Sequence, residues 1–99
     1  MAIHSKFSIT IRRKAAKMEE CRAALKKRLG PKYNITVAPY MVVLERDAKS
    51  KKIGMTQAAD ELLAYMRAKG RRHPIFRIIL FAAALDGIER NKNLDDLKN

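Results

Sequence analysis

A small α+β domain is the fold class that this 99-residue sequence predicts, in the order β-α-β-β-α followed by a third hydrophobic helix. Three observations predict it: an N-terminal run alternates apolar and polar residues at a period of two, two later segments carry apolar residues at the helical period, and a β-branched stretch lies between those two segments.

In the first run, Ile3, Ser5, Phe7, Ile9 and Ile11 are mostly apolar, while His4, Lys6, Ser8, Thr10 and Arg12 are polar. That alternation fits a strand buried on one face. Over residues 14–29 the period becomes helical: Met18, Cys21, Leu25 and Leu29 fall within one narrow arc, and Gly30 and Pro31 follow as a stop. The other faces of this helix carry Lys14, Lys17, Arg22, Lys26, Lys27 and Arg28 against only Glu19 and Glu20.

Next, Ile35, Val37, Val42, Val43 and Leu44 favour extended structure, with Pro39 marking a bulge, an edge or a break. Asp47, Ala48, Lys49 and Ser50 suit a turn, so residues 51–55 return as a short antiparallel strand. Thr56 then stands as the N-cap of a second helix, with Asp60 and Glu61 in its early turns. Met55, Ala59, Leu62, Leu63 and Met66 share its apolar face, and Arg67, Lys69 and Gly70 end it.

The last apolar segment divides. Residues 75–81 suit a buried strand, whereas Phe81, Ala82, Ala83, Ala84 and Leu85 suit a helix. A helix with Pro74 at its first position is preferred, because three consecutive alanines are strong helix formers. The alternative, a strand here, gives the ferredoxin-like β-α-β-β-α-β order with a polar tail, an architecture that unrelated activities share. Either way, residues 1–90 make one compact basic domain and residues 91–99 a polar C-terminal tail.

Charge bounds the partners. Twenty-two Lys and Arg against ten Asp and Glu give a net +12. Residues 1–85 hold nineteen of these bases and six of the acids, so the excess belongs to the body of the chain. Such a surface attracts phosphates or acidic proteins. Three basic clusters sit at element ends: Arg12, Arg13 and Lys14; Lys49, Lys51 and Lys52; and Lys69, Arg71 and Arg72 beside His73. With Lys17 they form an expected phosphate track, from the end of the first strand across the first helix to the hairpin turn. Arg71 and Arg72 serve as a second anchor.

Aromatic residues for base stacking are few: Phe7, Tyr33, Tyr40, Tyr65, Phe76 and Phe81, with no Trp. Residues 56–63 resemble the first helix of a helix-turn-helix only superficially, because the helix after them is almost wholly apolar and offers Arg77 alone for reading a groove.

Catalytic and metal chemistry lack their constellations. His4 and His73 are isolated, Cys21 lies on an apolar helix face, and the adjacent pairs Glu19-Glu20 and Asp95-Asp96 cannot face one another as an acid and a base. Four scattered glycines form no phosphate loop, and neither an enzyme, a metal nor a cofactor is expected. The longest apolar run, residues 78–85, is too short to span a membrane, and the N-terminus lacks a signal core. The single cysteine fits a reducing cytoplasm.

The expected function is nucleic-acid binding, DNA or RNA, mainly through phosphate contacts. The alternative is a small inhibitor or adaptor that docks on an acidic protein. The apolar residues Ile75, Phe76, Ile78, Ile79, Leu80, Phe81 and Leu85 also suggest a homodimer face.

Overall fold

Residues 2–91 are described by a computed structural model, with side chains described from residue 12 onward. Every regular element among them is helical: α1 (Ala2–Leu29), a 3-10 turn (Gly30–Lys32), α2 (Tyr33–Lys51), α3 (Met55–Ala68) and α4 (Pro74–Arg90). The predicted α+β class is therefore corrected to all-α, and the ferredoxin-like alternative falls with it. The polar tail lies, from residue 92 on, outside the described residues.

The organising element is α4. Ile79, Leu80, Phe81, Ala82, Ala83, Ala84, Leu85, Gly87 and Ile88 are all buried, so this helix is enclosed around most of its circumference. A helix apolar on all sides belongs in the middle of a fold, and α1, α2 and α3 each pack against it. Its three alanines let those neighbours approach closely. Pro74 occupies the first turn as expected, where its missing N–H leaves no intrahelical bond unmade. The ambiguous apolar run was thus a buried helix rather than a buried strand. Residues 79–85 fill the core of their own chain, which leaves only the half-buried Ile75, Phe76 and Ile78 of this segment for any subunit contact.

The predicted first strand, residues 3–11, is the N-terminal part of α1. A strand must satisfy its backbone through a neighbour, whereas a helix does so internally, and no described segment is extended to pair with it. The expected half of α1 holds: Met18 and Leu25 are fully buried, with Cys21 and Leu29 packed at the margin.

The predicted hairpin is α2 and the turn after it. Tyr33, Val37, Leu44 and Ala48 are buried at helical spacing, a period that the β-branched residues among them obscured. Ile35 and Val42, two of the residues that suggested a strand, face solvent at 78% and 56% exposure. Pro39 sits inside α2 on its exposed side, where the ring removes one backbone donor that water can compensate. Lys52 (φ +56°) then adopts the left-handed conformation, and the Ile53 N–H reaches back to the Ala48 carbonyl at 3.0 Å. These bonds end α2 where the return strand was expected.

The second predicted helix is α3, with Gly54 rather than Thr56 as its N-cap; Thr56 lies buried in the first turn. At its far end Gly70 takes φ +79°. There the Arg71 N–H bonds the Met66 carbonyl at 2.9 Å, and the Gly70 N–H bonds the Arg67 carbonyl at 3.0 Å. This paired closure stops α3 and turns the chain toward α4. No helix among the described residues is long and apolar enough to cross a membrane.

Candidate nucleic-acid interface

α1 and α3 both pack on α4, their backbones stay largely apart, and the Lys14–Asp60 ion pair bridges them. The space between them is a cleft of about 750 Å³, lined by Lys17 and Cys21 of α1, Leu63 and Arg67 of α3, and Arg71, Arg72 and His73 of the connection, together with Pro74, Arg77 and Ile78 of α4. A neighbouring hollow continues it toward Arg13, Lys14, Asp60 and Phe81 and shares Lys17, Leu63, Arg67 and Arg77. Cations from every wall thus face one concavity.

Helical spacing explains their convergence. Arg13 and Lys17 are four residues apart on α1, as are Leu63 and Arg67 on α3, so each pair stacks along one side of its helix. The α3 closure delivers Arg71 and Arg72 to the end of the cleft, and Arg77 follows one turn into α4. Arg77 is half-buried, with its guanidinium carbon 5.3 Å from the Phe81 ring centroid. No acidic residue occupies the first turn of α4, so the positive end of its dipole adds to the same field. Among the described residues only Asp60 supplies a carboxylate to the lining, and it is paired with Lys14.

Most acids of α4 and its neighbours are engaged elsewhere. Asp86 lies nine residues from Arg77, half a revolution around α4. Arg22 donates to Asp86 at 2.9 Å, to Glu19 at 2.9 Å and also to Glu89. Burial works against the Arg22 charge, but the hydrogen bonds to Glu89, Asp86 and Glu19 outweigh it and hold its proton more firmly than usual. The Tyr33 hydroxyl donates to the second Asp86 oxygen at 2.7 Å. Burial first, and then that bond, push the phenol above its ordinary value. Buried Glu45 accepts from Arg90 and Asn91, which ties α2 to the end of α4. These ion pairs gather negative charge away from the cleft and leave the cleft cations free of it.

Of the predicted site residues, the structure brings Arg13, Lys14, Lys17, Arg71 and Arg72 to the cleft. Arg12 is exposed on α1 but does not line it, and Lys49, Lys51 and Lys52 stand apart at the end of α2. Lys51 bonds Glu61 at 3.2 Å, and that bond, followed by one from Gln57, holds the Glu61 carboxyl below its ordinary value. The continuous track toward a hairpin turn is therefore replaced by one basic cleft and a separate basic corner, because the hairpin that joined them is a helix.

Arg67 and Arg77 were missed as site residues. The first was legible from its spacing to Leu63, whereas the second required knowing that α4 starts at Pro74 and lies beneath the other helices. Burial of α4 also removes it as a groove-reading helix. Among the described residues, no group of three or more His, Cys, Asp or Glu is placed to hold a metal. No family model, curated protein or solved structure matches the chain.

Proposed function

We propose that this chain is a non-enzymatic nucleic-acid-binding protein whose α1–α3 cleft, with the Arg71-Arg72 turn at its end, is the phosphate-contacting surface. One observation supports this above the rest: among the described residues, seven Lys and Arg from three helices and a loop line connected hollows in which Asp60 is the sole acid. Like charges repel when gathered so closely, and the gathering is stabilised when phosphates neutralise it. A cytoplasmic setting, where nucleic acid and a reduced Cys21 coexist, fits the same assignment.

Fluorescence anisotropy with labelled single-stranded DNA, duplex DNA and duplex RNA tests the proposal, each titrated from about 50 to 200 mM salt. Binding to at least one form, weakening by orders of magnitude over that range, is the expected result. Failure to bind any form at the lowest salt overturns it. Recovery of one acidic protein partner that nuclease treatment does not release would then assign the cleft to protein docking.

A further inference from the structure

Resting on that assignment, we propose that the cleft accepts a single nucleic-acid strand rather than a duplex, with phosphates on Arg67, Arg71 and Arg77 and an unpaired base on the floor formed by Cys21, Leu63 and Ile78. Shape is the first argument. Proteins that read base edges in the DNA major groove, about 12 Å wide, do so by inserting a convex helix or β-ribbon. Here the cations line an open concavity between two helices, and its volume of about 750 Å³ leaves room for a nucleotide. A duplex turns its bases inward and offers phosphates on a broad convex wall, so it reaches only the rim of such a cleft.

The depth of Arg77 is the second argument, since Arg67, Arg71 and Arg72 are exposed around it. Arg77 is half-buried against Phe81 at the base of the cleft, so a phosphate that meets it must belong to a chain slim enough to pass between α1 and α3. The floor is the third. Leu63 is 8% exposed, Cys21 and Ile78 are half-buried, and together they give an apolar surface unsuited to phosphate. An unstacked base has an apolar face that fits it, and the guanidinium planes of Arg67 and Arg71 are able to stack against the base from the walls.

Cys21 makes the inference directly measurable, because it is the chain's single cysteine and lies on the floor itself. The unmodified protein is treated with N-ethylmaleimide, and the rate is followed by intact mass. The ligands are DNA and RNA single strands of about twelve nucleotides and the matching duplexes, with occupancy measured by anisotropy in parallel. At nine-tenths occupancy by a single strand, alkylation slows about tenfold, since only free protein reacts. A duplex at equal occupancy leaves the rate nearly unchanged.

Tight single-strand binding that leaves Cys21 fully reactive overturns the proposal, as does equal protection by duplex. Absence of binding in every anisotropy arm defeats the nucleic-acid assignment itself. Protection by an acidic peptide, with none by oligonucleotides, hands the cleft to a protein.

Discussion

Replacing Arg67, Arg71 and Arg77 together with glutamine separates contact in the cleft from the attraction of the overall charge. Seven Lys and Arg line the two hollows, and Lys14 is tied to Asp60, which leaves six. On a single strand each engaged phosphate contributes about 0.7 to the slope of log affinity against log salt, so six engaged cations give a slope near −4 and the variant about −2. Between about 50 and 200 mM salt, the unmodified protein loses about 300-fold in affinity and the variant about 20-fold. The control replaces Lys49, Lys51 and Lys52 with glutamine. It removes the same three charges from +12 but lies off the cleft, and it retains a slope near −4. Anisotropy titrations of all three proteins, with circular dichroism confirming equal helicity, decide the matter. Equal slopes for the two triple variants would show that binding follows net charge, and the cleft would lose its role.

Leu80 is fully buried at the centre of α4, so Leu80→Ala costs about 3–5 kcal/mol in urea denaturation, while Ile35→Ala, at 78% exposure, stays within about 0.5 kcal/mol. Tyr33→Phe removes the hydroxyl that donates to Asp86 and costs about 1–2 kcal/mol at neutral pH. Because the folded phenol titrates above its unfolded value of about 10, that contribution is complete below pH about 10 and is lost as pH rises beyond it. The stability gap between the two proteins therefore narrows only in alkali, and a gap that stays constant there refutes the assignment. At Gly87 an added Cβ would run into the Met55 methyl, and Met55 is fully buried with little room to shift, so Gly87→Ala is expected to be destabilising by about 1 kcal/mol despite its better helix propensity. In a Met55→Ala background the same change becomes stabilising, which a double-mutant cycle reads directly.

The parts of the fold legible in the sequence were those with clean punctuation. The arc from Met18 to Leu29, the apolar face of α3 and the Pro74 start of α4 all follow from spacing and caps. α2 was hidden because Ile35, Val37, Val42 and Val43 carry strand preference, while its true period rests on Tyr33, Val37, Leu44 and Ala48. Local propensity lost there to packing against α4, which no short window of sequence displays. The first strand failed for a related reason: alternation over residues 3–11 signals a strand only when another strand can pair with it, and the expected partner was α2. The basic clusters were visible individually. Their grouping depended on α1 and α3 flanking α4, so the turn cluster was joined to a cleft that it does not line, and Arg67 and Arg77 were passed over.

The placement of α4 also governs when this protein acquires its shape during synthesis. Three helices converge on a segment that begins only at Pro74, and at roughly 5–20 residues per second several seconds separate the translation of α1 from that of α4. Until then the apolar sides of α1, α2 and α3 lack their common centre, and any nascent chain released before residue 80 carries their exposed hydrophobic stripes beside most of the basic charge. Truncation from the C-terminal side is consequently far more damaging than its length suggests. A fragment that ends before Pro74 retains three-quarters of the sequence but lacks the helix on which the other three all pack.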